Sequence, residues 1–519
     1  MSETVASPEH SAVPEHLDVL VIGAGLSGID AGYHLQAADP DLSYAIFEAR
    51  DAIGGTWDLF RYPGVRSDSD MYTLGYPWRP WRGEKAIADG DDILAYIVDA
   101  AAEHGIDEKI RFGLRVIALE WSTPEACWNV TAVEVGTDRR ITLTCGFVVS
   151  CTGYYRYDRG HTPDFDGLED YSGQVIHPQF WPEDFDASGA RVVVIGSGAT
   201  AVTLVPALVD PASTHRADHV TMLQRSPTYI AAVPYKNPIV GRLEKVVPDR
   251  WSGPAVRWFA ALGSQGFFRF ARRFPKLVRS LLLKGVEREL PDGYDIATHF
   301  TPRYDPWDQR LCADPDGTLF AAIRRGDVSV VTDEIDRFTA TGVRLRSGIE
   351  LPADIVVTAT GLELLFLGGT QVVVDGGVVD LSSRLLYRGM MLEGVPNLAI
   401  AVGYTNASWT LKCDLTCEYV PRLLAEMRAQ GKAQATPRNH DRSVSSEPVL
   451  GLTAGYVQRS AHLFPRQGWK APWRVHQSYL KDYRAIRRGA VVDEALELSN
   501  PRVDAAPHRA GVVSRILRT

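Results

Sequence analysis

Leu17-Asp18-Val19-Leu20-Val21-Ile22-Gly23-Ala24-Gly25-Leu26-Ser27-Gly28 decides the fold of this chain. The apolar run Leu17 to Ile22 predicts a buried strand, and Ile29 to Leu35 continues as a helix, so Gly23, Gly25 and Gly28 fall at the turn between them. Missing side chains at such a turn let the backbone approach a pyrophosphate, whose charge the helix N-terminus favours. Glu48 closes the apolar run Tyr44 to Phe47 and stands 20 residues after Gly28, the spacing of an acid that holds ribose hydroxyls. The first site is therefore expected to take an unphosphorylated ribose, as FAD has.

The pattern occurs twice. Val192 to Ile195 leads into Gly196-Ser197-Gly198-Ala199-Thr200-Ala201, and the next predicted strand, Val220 to Leu223, ends in Gln224-Arg225-Ser226 rather than in an acid. Arg225 can fork onto a 2′-phosphate that a carboxylate would repel, so the second site is expected to prefer NADPH. Two nucleotide cofactors on one chain imply electron transfer between them. The expected fold class is α/β, with two Rossmann-like dinucleotide-binding domains, one for FAD and one for NADP.

Length and composition set the bounds. A chain of 519 residues exceeds one ordinary core and suggests about two to four domains. Its 45% apolar and 23% charged residues are those of a soluble globular protein. A net charge of −9 gives no general affinity for nucleic acid or anionic membrane. Residues 1–16 lack a basic start and an apolar stretch and are expected to be a disordered leader. No apolar run reaches the roughly 18 residues that span a bilayer, and the expected location is cytoplasmic. Six scattered cysteines do not make a disulfide scaffold; Cys413 and Cys417, four apart, read as small residues on one packed helix face. No spacing of His and Cys suggests a metal site.

Thr152-Gly153 and Thr360-Gly361 each end an apolar run, as the two crossing points of an inserted domain would. Residues 17–153 and 354–495 are accordingly expected to form a discontinuous FAD domain, 154–353 an NADP domain with a helical insertion at about 231–300, and 496–519 a C-terminal tail. The insertion is rich in aromatic and basic residues, among them Trp251, Phe259, Phe270, Arg272, Arg273 and Lys276, and its prolines are expected to cut it into short pieces. Three readings of it stay open: a cap over the substrate pocket, a surface in peripheral contact with a membrane, and a structural insertion.

Gly54-Gly55-Thr56-Trp57-Asp58 follows the ribose acid, and its paired glycines let a loop run close to a flat ring, with Trp57 offering a stacking face. Together with Tyr62-Pro63-Gly64-Val65-Arg66-Ser67-Asp68, the two fingerprints and Tyr171-Ser172-Gly173-Gln174-Val175-Ile176-His177-Pro178-Gln179-Phe180-Trp181, this chain resembles the flavin-dependent Baeyer-Villiger monooxygenases from about Leu17 to Leu424. In Gly54 to Tyr76, His177 to Phe185 and Pro306 to Cys312 it is similar to the branch that includes thioamide-activating monooxygenases.

The resemblance implies that NADPH reduces FAD, that reduced flavin and O₂ give a C4a-peroxide, and that this attacks a ketone to yield an ester or lactone. A protonated peroxide would instead oxidise a sulfide or amine, so oxygenation at sulfur or nitrogen is the alternative. The expected partners are O₂ and a small ketone or sulfide. By the same resemblance Arg310 is the catalytic arginine and Asp68 its orienting partner. Ser27, Gly55, Thr56, Trp57 and Val116 would line FAD; Arg66, Ser67, Ser197, Thr200 and Arg225, followed by Ser226, would lie near NADP. Tyr404 to Trp409 resembles the family's late flavin-side loop. His177 would couple the two domains, and Trp181 marks the Baeyer-Villiger class. Two departures stand out: Tyr171 replaces a usual Phe and adds a hydroxyl needing a partner, and Gln309 occupies a position where many relatives have a phosphate-holding lysine.

Overall fold

The computed structural model describes residues 15–83, 85–237, 239–240, 248–309, 311–451 and 454–501. Arg310, most of the expected leader and most of the expected tail lie outside them.

β1 (His16–Ile22) is apolar because both of its faces are covered, as in a central parallel strand. Val19 and Val21 face α1 (Leu26–Ala38), whereas Leu20 and Ile22 pack on the opposite side with Trp121 and Trp128. β2 (Tyr44–Phe47) and β3 (Ile110–Arg111) extend the sheet in parallel on one side of β1. On the other side β4 (Leu114–Ser122), β5 (Cys127–Glu134) and β6 (Arg140–Ser150) form an antiparallel meander whose last strand joins β1 in parallel.

A second, wholly parallel sheet is built from β7 (Gln174–Ile176), β8 (Arg191–Ile195), β9 (His219–Gln224), β12 (Val328–Thr332) and β16 (Ile355–Thr358), in the order β12-β9-β8-β16-β7. α2 (Ala199–Leu208) follows β8 as α1 follows β1. Between β9 and β12 run β10 (Ile230–Val233), α3 (Asp249–Arg273), α4 (Pro275–Glu289) and β11 (Cys312–Pro315), which pairs with β10. A small antiparallel sheet of β13 (Ile335–Thr339), β14 (Gly342–Leu345) and β15 (Glu350–Pro352) precedes β16. The chain then returns to the first sheet, and α5 (Thr410–Ala429) packs across α1.

Five expectations are corrected. The return to the first domain comes after Gly361 and not at residue 354, because Ile355–Thr358 completes the second sheet between β8 and β7. The insertion does not start as helix at 231: residues 231–233 belong to β10, and the helices run from 249 to 289 with a short turn at Ile296–His299. Its prolines do not break it into short pieces. Pro248 caps α3, Pro275 opens α4, and Pro254, in the second turn of a 25-residue helix, removes one backbone bond without ending the helix. Finally, Leu496–Ser499 is a strand paired with Gln434–Pro437 rather than tail, and Glu15 and His16 are ordered by Arg111 and Thr144 rather than belonging to a leader.

Cys413 and Cys417 are buried in the contact between α5 and α1. Beside them Asp30, His34 and Asp414 form a polar cluster that periodicity alone would have counted as core. His34 Nε2 lies 3.0 Å from Asp414 Oδ1 and 3.6 Å from Asp30 Oδ1, and Trp78 Nε1 donates to Asp30 at 2.9 Å. Burial disfavours charge on His34, but the hydrogen bond to Asp414 and the charge of Asp30 outweigh it and lift its pKa to about 8. Burial and the neighbouring Asp414 push Asp30 up to about 7. Both groups hold protons in the folded state that the unfolded chain releases. The histidine's contribution to stability is therefore complete below its ordinary value of 6.5 and is lost as pH climbs through about 8; Asp30 acts in the same direction over a lower window. Thermal unfolding across that range should show Tm falling with pH, more steeply than in His34→Gln. Parallel profiles for the two proteins would contradict this assignment.

Candidate active site

A cavity of about 800 Å³ opens at the carboxyl ends of β1, β2 and β6, within the size range of ligand sites. Its floor is the first glycine turn, where Gly23, Gly25 and Ser27 line it. Gly23 has φ +102° and lies so close to β6 that a Cβ would sit 2.6 Å from the Cys151 carbonyl oxygen. Gly28 does not line the cavity. Its role is packing: a Cβ there would stand 1.8 Å from the Gly23 carbonyl oxygen, so its absence lets α1 leave the strand at close range. Glu48 is buried at the wall and accepts from the backbone N–H of Ala24 at 2.6 Å and of Arg50 at 2.8 Å, one bond to each carboxylate oxygen.

The remaining expected residues of this region join the same cavity: Gly55, Thr56, Trp57, Arg66, Ser67, Asp68 and Val116, with Ala199 and Thr200 from the second domain. The late loop is tied to the floor by Trp409 Nε1, which donates to Ser27 Oγ at 3.1 Å. Sequence reasoning missed Trp307 and Leu311 as lining residues, although both lie in the quoted motif around Arg310. Trp307 has φ +73°, a conformation that strains a bulky residue, and its buried Nε1 has no partner among the described residues. Asn406 Oδ1, in the late loop, is likewise buried and unpartnered among them. Such orphaned polar atoms, together with a glycine-walled floor that a Cβ would fill, fit a large polar and aromatic ligand. Tyr62, Tyr154, Tyr157 and Trp409 add rings to the walls; no regular spacing links them in sequence.

Gly196, Ser197, Gly198, Ala201, Arg225 and Ser226 are not in this cavity. Gly196 to Ala201 form the second glycine turn, at the end of β8 and the start of α2. Gly196 meets the Ala359 carbonyl as Gly23 meets Cys151, and Ser197 Oγ donates to the Ser226 carbonyl at 3.0 Å. Arg225 and Ser226 follow β9 and are exposed at this edge. α2 has no acidic residue in its first turn to cancel its positive end.

The motif Tyr171 to Trp181 also lies away from the cavity, at the crossings between the domains. His177 Nδ1 accepts from the Gln179 N–H and its Nε2 donates to the Gly361 carbonyl at 3.2 Å, while its ring fills the space a Gly160 side chain would need. One side chain thus touches both the outgoing and the returning strand of chain. Burial holds its pKa below the usual histidine value. Tyr171 finds the partner its extra hydroxyl needs in the Ala353 carbonyl at 3.1 Å, Gly173 leaves room for that ring, and Trp181 packs on Phe185.

Two dinucleotide-type turns, one enclosed beside a ring-lined cavity and one open across from it, define a two-nucleotide flavoprotein oxidoreductase. Comparison with known proteins agrees. Residues 21–82 match the NAD(P)-binding Rossmann-like domain and residues 85–237 the flavin-binding monooxygenase-like family. The chain is 52% identical to the FAD-containing monooxygenase EthA of Mycobacterium tuberculosis, over 93% of this chain and 98% of that one. It is 48% identical to EthA of Mycolicibacterium smegmatis, over 94% and 98%. In fold it is similar to an oxidized steroid monooxygenase bound to NADP, with a TM-score of 0.70 at 20% identity over 93% of this chain and 100% of that one. The chain belongs to the flavin-binding monooxygenase family.

Proposed function

We propose that this protein is an FAD- and NADPH-dependent Baeyer-Villiger monooxygenase that inserts one oxygen atom beside a ketone carbonyl. Ketone, O₂, NADPH and a proton become ester or lactone, water and NADP⁺. The observation that carries this reading is the meeting in one cavity of the first glycine turn, the segment Arg66-Ser67-Asp68, and Trp307 and Leu311 of the motif around Arg310.

Bound FAD supplies hydride acceptance from NADPH and the activation of O₂. The chain's own residues do the rest. Gly23, Gly25 and the N-terminus of α1 receive a pyrophosphate, and each Glu48 oxygen keeps a lone pair for a ribose hydroxyl. Ser27, Gly55, Thr56, Trp57 and Val116 wall the flavin side. Arg66, Ser67, Gly196 to Ala201, Arg225 and Ser226 serve NADP. A permanently charged Arg310 stabilises negative charge developing on oxygen, an effect worth a few kcal/mol where water is excluded, and Asp68 orients it. His177, which touches both chain crossings, is a positioning residue for the two domains.

Offering the loaded enzyme a ketone and a sulfide together, with products identified by mass spectrometry, tests the reading. Ester or lactone as the main product is expected; sulfoxide with no ester would replace the reading by one of oxygenation at sulfur or nitrogen, which the one cavity also accommodates. At the second turn Arg225→Ala is expected to raise the KM for NADPH by roughly tenfold or more, with little change for NADH, because only the former carries the phosphate that the guanidinium can fork. Equal effects on both nucleotides would remove Arg225 from that role.

A further inference from the structure

α3 and α4 expose an unusual concentration of large apolar side chains. Trp251, Phe259, Leu262 and Phe270 recur at helical spacing along one stripe of α3, and Leu277 and Leu281 lie one turn apart on α4. Phe274 joins the two, its ring 5.2 Å from that of Phe270. All seven are between 41% and 58% exposed. Apolar side chains scattered singly over a surface need no explanation, but a contiguous group marks an interaction site.

The charges on the same element select the partner. Residues 249–289 hold nine Lys and Arg against three Asp and Glu, within a chain whose net charge is −9. Arg273, Lys276, Lys284 and Arg288 are exposed next to the apolar residues, and the Arg273 guanidinium lies 5.3 Å over the Phe274 ring. A second copy docked symmetrically through this face would set cations against cations. No helix among the described residues is long and apolar enough to cross a membrane. Aromatic and leucine side chains flanked by cations, on helices that cannot span, suit the plane of a lipid interface.

We propose that the α3–α4 face docks this protein on an anionic lipid bilayer, with its apolar stripe at the acyl boundary and its lysines and arginines at the headgroup phosphates. The docked element also reaches the cavity: Phe268 of α3 packs edge-on against Trp307, 5.4 Å between ring centres, and Arg272 pairs with Asp308. The docking helix therefore contacts the cavity wall through the side opposite its apolar stripe.

The test is sedimentation of the FAD-loaded full chain with two kinds of vesicle, phosphatidylcholine alone and phosphatidylcholine with phosphatidylglycerol in equal parts. Binding to the mixed vesicles and much weaker binding to the neutral ones is expected. Arg273→Glu combined with Lys276→Glu should weaken partitioning by about tenfold or more. Leu277→Ser combined with Leu281→Ser should weaken it comparably, and both variants should keep their flavin content and NADPH oxidation rate. No sedimentation of the unaltered protein with mixed vesicles, or variants that bind as well as it does, overturns the proposal. So does self-association that the leucine variant abolishes without any vesicle binding, which would give the face to a second copy.

Discussion

Arg310→Ala is expected to lower the rate of ester formation by roughly a hundredfold or more, while the protein stays yellow and NADPH still reduces its flavin. The argument is electrostatic. In the proposed reaction oxygen insertion develops negative charge on oxygen, in a cavity whose rings and glycines alternate with charged side chains such as Glu48, Asp68 and Asp158, and a fixed cation is worth more there than in bulk water. Trp307 and Leu311, on either side of Arg310 in sequence, both line that cavity. Arg310→Lys should recover only part of the loss, because an ammonium lacks the planar fork that Asp68 can orient. The readouts separate the steps. Flavin reduction by NADPH, followed in a single turnover, should be nearly unchanged. The yield of ester per NADPH should collapse, with hydrogen peroxide released in its place. An alanine variant that makes ester at the original rate would remove Arg310 from the chemistry, whatever the product of the enzyme.

The second large effect is expected from a glycine that touches no ligand. Gly28→Ala should yield a protein that purifies with little or no flavin and a lowered Tm. The added methyl would stand 1.8 Å from the Gly23 carbonyl oxygen and 2.9 Å from its carbon, backbone atoms that cannot turn aside, so α1 must move off β1. Overpacking of this kind costs about 1–3 kcal/mol in a core, and here the displaced element also carries the phosphate-facing N-terminus. Gly198→Ala provides the contrast. A Cβ at Gly198 meets nothing within 4 Å, so flavin content and Tm should hold while the KM for NADPH rises as the methyl intrudes on the pyrophosphate side. Full flavin loading of the Gly28 variant would show that α1 can shift without cost, against its close packing on the Gly23 backbone.

Both glycine turns were legible in the sequence because their geometry is local. A strand must end, a backbone must take positive φ at Gly23 and Gly196, and a helix must start within a few residues; β1, α1, β2, β8 and β9 fall where the apolar runs place them. Glu48 was legible for the same reason, through its distance from the glycines. The segment Ile355–Thr358 was misread because a buried parallel strand looks alike in either sheet, and only pairing with β8 and β7 assigns it. Pro254 misled because the one backbone bond it removes is small beside the rest of a 25-residue helix. The Asp30–His34–Asp414 cluster joins residues 380 apart in the chain, and no spacing rule reaches that far.

What the sequence by itself determined is therefore the set of short-range features: two nucleotide turns, the acid that follows one and the arginine that follows the other, and the motif that spans the domain crossing. Tertiary structure alone decided which of these share a space. Trp307 and Asn406, about a hundred residues apart, are brought with Gly23 and Glu48 to one cavity, and each presents a buried polar atom without a partner among the described residues. His177 joins Gly160 to Gly361, and seven apolar side chains of α3, α4 and their joint are left facing outward. The physical reason is range. Backbone conformation and helix capping are settled within a few residues, whereas burial, cavity walls and exposed faces depend on which distant segments the core brings together.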